Sequence, residues 1–141
     1  MNNQKIAKIF SQMAEYYQMK DDQFRPRAYE RAERLIEDME NDLEDIYKKN
    51  GTKGLTEIPG IGAGLAGHIE EYIKTGKIKI FEKLKKEAPL DLESFSAVEG
   101  VGPKMLMSLY KNLKIKNIRD LEKAARAGKV RALPRFGEKI E

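Results

Sequence analysis

The sequence predicts an all-α protein: a small helical domain followed by a second helical subdomain, each built around a tight glycine turn between two helices. Three observations carry this. Apolar residues recur at helical spacing along most of the chain, no segment alternates long enough to make a strand, and one short pattern occurs twice. The copies are Ile58-Pro59-Gly60-Ile61-Gly62 and Val98-Glu99-Gly100-Val101-Gly102, with Gly100 lying 40 positions after Gly60. Each reads apolar-x-Gly-apolar-Gly and opens an amphipathic helical stretch.

In chain order, Ile6, Ile9, Phe10, Met13 and Tyr17 fall on one face of a first helix, which Asp21-Asp22 breaks. Pro26 suits the first turn of a second helix, where its missing N–H removes no hydrogen bond. Tyr29, Ala32, Leu35, Ile36 and Met39 form the apolar stripe of that helix. A third, short helix carries Leu43, Ile46 and Tyr47 and ends before Gly51. Beyond the first glycine turn, Leu65, Ile69, Tyr72 and Ile73 line a helix stopped by Thr75-Gly76. Phe81 and Leu84 mark another, stopped by Pro89. The second glycine turn launches Met105, Leu106, Leu109 and Tyr110, and a last helix runs from Ile118 to Ala127 and closes at Gly128. Lys77 to Ile80 is too short to count as a strand. The domain boundary falls in the polar, proline-containing stretch around Lys86–Leu92, giving domains 1–86 and 87–141.

Composition narrows the function classes. The chain has 141 residues, 40% hydrophobic and 35% charged, which suits a soluble globular protein with modest cores. There is no cysteine, so a disulfide framework and a thiolate zinc site are both excluded, and His68, the only histidine, cannot build a metal cluster alone. No apolar run approaches the roughly 18 residues of a membrane span, and the first residues lack the apolar core of a signal peptide. The expectation is a cytoplasmic protein without a membrane partner. Its net charge of +4 is unevenly spread: residues 1–102 hold 16 Lys or Arg against 19 Asp or Glu, and residues 103–141 hold 11 against 4. A charge run is commonly only a solvated face, but this one follows directly behind the second glycine turn.

The glycine turns give the charge a purpose. Glycine at both positions of each turn permits positive φ and lets the backbone approach another surface with no Cβ in the way. Where the next helix begins, unpaired N–H groups and the positive dipole end point outward, an arrangement suited to phosphate. A single such turn is often a compact connector. Two with the same flanks in a basic chain predict a protein that grips a nucleic-acid backbone at two places. Lys104, Lys111, Lys114, Lys116 and Arg119 can line the path of a phosphodiester strand and add salt-dependent, sequence-independent affinity.

Five segments in order resemble the N-terminal region of family X, polymerase-beta-like DNA polymerases of bacterial and archaeal type. They are Phe24-Arg25-Pro26-Arg27-Ala28-Tyr29, the first glycine turn, Glu70-Glu71-Tyr72-Ile73-Lys74-Thr75-Gly76-Lys77, the second turn with Pro103, and Leu133-Pro134-Arg135-Phe136-Gly137-Glu138-Lys139. The resemblance implies that each turn belongs to a helix-hairpin-helix motif. The first would sit in a lyase-type domain that binds the 5′-phosphate side of a DNA gap, the second in a fingers-like subdomain that holds the primer-side duplex. It implies backbone contacts from Gly60, Ile61, Gly62 and Gly64, and from Gly100, Val101, Gly102 and Lys104. Arg25, Tyr29 and Phe24 would meet the 5′-phosphate end, with Phe24 able to stack on a base. From the residues alone, Tyr29 could equally be a core aromatic. A monovalent cation, Na⁺ or K⁺, would be held by the carbonyls of Thr56, Ile58 and Ile61 and of Ser96, Val98 and Val101. Magnesium would be needed only by a polymerase palm, whose strand-borne Asp-x-Asp is absent here. The resemblance further implies the front part of a longer polymerase, acting as a monomer on gapped, nicked or primer-template DNA. The alternative is a stand-alone helix-hairpin-helix module of another repair complex.

Lyase chemistry in this family needs a primary amine that attacks the sugar aldehyde, forms an imine and so permits β-elimination. The family's lysine lies six residues after the second glycine of the first hairpin, which is His68 here. A second pocket lysine falls on Gly64 and a third on Ile80. Imidazole cannot form the protonated imine, so the lyase nucleophile is expected to be lost, leaving His68 a phosphate contact or a plain surface residue. Rescue by Lys74, Lys77 or Lys79 is the competing possibility. Lys74, six positions along the same helix, is turned away from His68.

Overall fold

The computed structural model describes residues 2–87, 90–95 and 102–128. Among these residues there are seven α-helices, one 3₁₀ turn and no strand, so the all-α reading holds. They are α1 (Asn2–Met19), α2 (Arg25–Asp38), α3 (Leu43–Thr56), α4 (Ala63–Thr75), α5 (Lys79–Glu87), the 3₁₀ turn Leu92–Phe95, α6 (Pro103–Leu113) and α7 (Ile118–Arg126). The chain divides into two compact units, Met1–Leu84 and Lys85–Glu141, and α5 runs across the division.

In the first unit, α1 and α2 pack together and α3 packs on α4. The predicted stripe of α1 is the buried one: Ile6, Phe10 and Met13 are wholly inaccessible. Each such side chain contributes about 1.5–3 kcal/mol of transfer free energy. The helix begins a turn earlier than its apolar residues suggest, because buried Asn3 ties it down. Asn3 Nδ2 donates to the Asn41 carbonyl at 2.9 Å and its Oδ1 accepts from the Leu43 N–H at 2.8 Å. The break after α1 is made by Asp21 at φ 61°. Asp22 then accepts the N–H groups of Phe24 and Arg25 at the entry to α2, and Pro26 occupies the first turn of that helix.

The helix that carries Leu43, Ile46 and Tyr47 stops at Gly51 as expected: that residue leaves helical geometry at φ 67° and ψ −158°, and a second short helical stretch follows through Thr56. Only glycine takes such a conformation without strain. The second stretch carries Leu55, fully buried, and delivers the chain into the first hairpin. One local expectation needs correction, the φ of the glycine turns: Gly60 has φ 96°, but Gly62 and Gly102 are extended at φ −84° and −92°.

The second unit buries Leu92, Phe95, Leu106, Leu109, Ile115 and Leu121. Lys114 closes α6 in the left-handed region, and Asn117 caps α7 by accepting from the Asp120 N–H at 2.8 Å. Ser94 Oγ accepts from the Ile118 N–H at 3.0 Å, fastening the 3₁₀ turn to the start of α7.

Candidate nucleic-acid interface

The first hairpin is anchored from inside and bare on the outside. The Ile58 N–H donates to the Leu55 carbonyl at 3.2 Å, and the Ile61 N–H donates to the Ile58 carbonyl at 3.0 Å. Ile61 is 3% exposed and plugs the turn into the core, which fixes Gly60 in its positive-φ position outside. Gly62 is the N-cap of α4 and supplies no side chain to cap it. The first closed helical bond runs from the Ala66 N–H to the Gly62 carbonyl at 2.9 Å, so the N–H groups of Ala63, Gly64 and Leu65 have no acceptor within the helix. Pro59, Gly60, Gly62, Ala63, Gly64 and Gly67 are all exposed, and a Cβ added at Gly62, Gly64 or Gly67 would meet nothing within 4 Å. No acidic side chain lies in the first turn of α4. The result is a backbone surface with positive dipole end outward and no acidic residue in its own first turn.

The second hairpin repeats the part that is described. Ser96, Val98, Gly100 and Val101 lie outside the described residues, as does the side chain of Lys104. Gly102 is the N-cap of α6 at φ −92° and ψ 176°, close to the −84° and −177° of Gly62, and its carbonyl accepts from the Leu106 N–H at 3.0 Å. The first turn of α6 also holds no acidic residue. Lys111, Lys114, Lys116 and Arg119 are exposed on the same unit.

A separate polar cluster forms where α1, α2 and α4 meet. The Tyr29 ring is packed edge-on against Phe10 at 5.4 Å, tilted over Tyr17 at 5.5 Å, and stacked with His68 at 6.3 Å between centroids. Tyr29 is only 6% exposed, so it is chiefly a core aromatic with its edge at the cluster. Burial, and then the neighbouring Tyr17 hydroxyl, hold its phenol far above the usual range and keep it a proton donor. His68 is half-buried, and desolvation pushes its pKa below the ordinary imidazole value against the pull of Glu71. It is therefore not a plain surface residue. Arg25 is exposed, stands over the Tyr17 ring at 5.2 Å and pairs with Asp22 at 2.9 Å. Phe24, the N-cap of α2, is 84% exposed. Sequence reasoning missed Asp22 and Tyr17 as members of this cluster. The spacing Asp22-x-x-Arg25 at a helix start was the available signal, since an aspartate just ahead of a helix can accept the backbone N–H groups two and three residues on.

Of the candidate lysines, Lys74 is paired with Glu70 at 3.9 Å. Lys77 and Lys79 are exposed, and the Lys79 N–H is held by Glu71 at 2.9 Å. Among the described residues no three His, Cys, Asp or Glu side chains gather as a metal site, and no helix is long and apolar enough to cross a membrane.

Comparison with known proteins agrees with this geometry. Residues 1–78 match a helix-hairpin-helix domain family, and residues 90–141 match a SAM-like helix-hairpin-helix tandem. The chain is 30% identical over 142 aligned positions to the DNA polymerase/3′-5′ exonuclease PolX of Bacillus subtilis, a match covering 100% of this chain and 24% of that protein. It is 28% identical over 109 positions to DNA polymerase lambda of Arabidopsis thaliana, covering 77% of this chain and 20% of that one. The chain thus spans about a quarter or less of the length of these relatives. It belongs to the helix-hairpin-helix family of DNA-binding domains and is homologous, along its whole length, to the N-terminal region of family X DNA polymerases.

Proposed function

We propose that the chain binds the backbone of gapped or nicked DNA without regard to sequence, as the front part of a family X repair polymerase, and that it has lost imine-forming lyase chemistry. The observation that carries the binding reading is the bare N-terminus of α4. Its three unpaired N–H groups, flanked by exposed glycines and with no acidic residue in their own first turn, can donate to a phosphate that no side chain keeps at a distance. Gly102 offers the same capping geometry at α6, and the basic residues behind it add counterion-releasing contacts.

Arg25 serves the 5′-phosphate in this reading, because a guanidinium donates in a planar fork that matches phosphate oxygens. Phe24 lies beside it, exposed and able to stack on a terminal base. Tyr29 supports the site from within through its hydroxyl edge. His68 completes the cluster as a neutral imidazole where lyase chemistry requires an amine.

A monovalent cation would be held by the carbonyls of Thr56, Ile58 and Ile61. These are hard oxygen donors, and the Ile58 oxygen keeps a lone pair after accepting from Ile61. Bound there, the cation would neutralise phosphate charge beside the amides. Nucleotidyl transfer, with its magnesium, belongs to other parts of the proposed polymerase. The chain acts as a monomer, associated with the nucleoid in a prokaryotic cell.

The test is an affinity comparison between gapped duplexes ending in 5′-phosphate and in 5′-hydroxyl. The native protein should prefer the phosphate, and Arg25→Ala should erase that preference. A variant that keeps it in full would place the 5′-phosphate elsewhere.

A further inference from the structure

Arg25, the residue that serves the 5′-phosphate in the reading above, already has an anion. Asp22 Oδ2 lies 2.9 Å from Arg25 Nη1. The two halves of this pair are held very differently. Asp22 Oδ1 accepts the backbone N–H groups of both Phe24, at 3.0 Å, and Arg25, at 2.9 Å, at the entry to α2. Its side chain is 19% exposed, against 62% for Arg25. Those backbone bonds, then the Arg25 guanidinium, hold the Asp22 carboxyl below the usual carboxylate range. The carboxylate therefore cannot swing aside without breaking both backbone bonds, whereas the arginine side chain is free to turn outward.

We infer that Asp22 is a specificity-determining residue of the 5′-phosphate site: a fixed internal anion that competes with the DNA phosphate for Arg25 and weakens the preference for phosphorylated ends. This rests on the assignment of Arg25 to the 5′-phosphate. The competition follows from charge and distance. A phosphate brought to the Arg25 guanidinium comes close to a carboxylate that cannot retreat, and like charges at that range repel. Binding must then either break the ion pair or accept the repulsion. The Tyr17 ring covers one face of the guanidinium and blocks none of its in-plane donors, whereas Asp22 takes an Nη1 N–H, so a phosphate meets the remaining donors unless the pair opens.

The charge and the backbone bonds can be separated. Asn keeps a side-chain oxygen that accepts the same two backbone N–H groups, so Asp22→Asn removes the charge and leaves the entry to α2 intact. Asp22→Ser, a second residue with a side-chain acceptor, checks that the effect belongs to the lost charge and not to the amide. The readout is the ratio of affinities for 5′-phosphate and 5′-hydroxyl gapped duplexes, which cancels the general attraction gained by deleting a negative charge. The ratio should rise about threefold in both variants at low salt, the scale of an exposed ion pair, and the gain should shrink as salt is raised. In an Arg25→Ala background Asp22→Asn should leave the ratio unchanged. If Arg25→Ala alone leaves the native ratio intact, the assignment of Arg25 has failed. If Arg25→Ala erases the ratio while Asp22→Asn lowers or does not change it, the assignment stands and the competition is refuted, with Asp22 then a residue that aims Arg25 at the phosphate.

Discussion

Gly62→Val separates stability from binding at the first hairpin. Gly62 is extended at φ −84°, a conformation open to any L residue, and an added Cβ would meet nothing within 4 Å. Valine should therefore fit the free protein without a clash. Its penalty is limited to the weaker N-cap preference of an aliphatic residue, about 1 kcal/mol, partly offset by the lower entropy of the unfolded chain. For a unit of this size that is a melting shift of no more than about 8 °C. Binding should suffer far more if a phosphate meets the amides of α4 as proposed, because the branched side chain would occupy the space in front of them. Loss of one charge-assisted hydrogen bond, about 1.5–3 kcal/mol, weakens affinity roughly 10- to 100-fold. Circular dichroism melting and fluorescence anisotropy on one gapped duplex measure both effects. Gly64→Ala provides the opposite sign of stability change: within the helix, alanine should raise stability by about 0.5–1 kcal/mol. A folded Gly62→Val protein that binds DNA like its parent would refute the backbone-contact reasoning.

Three further outcomes follow from individual residues. The Glu15 carboxyl is pushed up by burial and by Glu33, so it folds most favourably when protonated. Its contribution is full below the unfolded value and is lost as pH rises through the folded one, so Glu15→Gln should raise the melting temperature near pH 7 and make no difference near pH 4. The gain should be at most about 4 °C, since the group is partly screened by solvent. The His68 pKa is lowered by burial, so its neutral form is favoured in the fold. Stability from this group is present above the unfolded value and declines as pH falls through the folded one. His68→Gln should flatten that part of the acid limb in a pH series of melting curves. The native protein should give no borohydride-trapped adduct with a 5′-deoxyribose-phosphate end, and His68→Lys should give one; an adduct of the native chain mapped to Lys74, Lys77 or Lys79 would show that another amine has taken over.

Helical periodicity made the core of the first unit readable, because Ile6, Phe10, Met13, Ile36 and Ile69 lie on the faces their spacing assigns. Glycine was less legible. The same residue serves as a kink at Gly51, a left-handed turn at Gly60 and an extended cap at Gly62, and only tertiary context distinguishes these uses. The repeated turn pointed to a bare helix N-terminus but assigned positive φ to one glycine too many in each copy it could be checked in. Tyr29 shows another limit: a motif position and a core position can be one residue, and its 6% exposure gives it to the core with only an edge left for the site. The Asp22–Arg25 pair was hidden because an aspartate before a helix reads first as a break. That it both accepts the Arg25 N–H and holds the arginine side chain depends on a side-chain geometry no periodicity encodes.

The central claim is a grip on the phosphate backbone that ignores base sequence. It is tested most directly by titrating the native protein against several gapped duplexes of unrelated sequence across a range of salt concentrations. The account predicts affinities equal within about threefold at each salt concentration, and a plot of log K against log salt with slope of about −2 or steeper, as expected when two or more phosphates are neutralised. A flat salt response, or a tenfold or greater preference for one sequence, would contradict it.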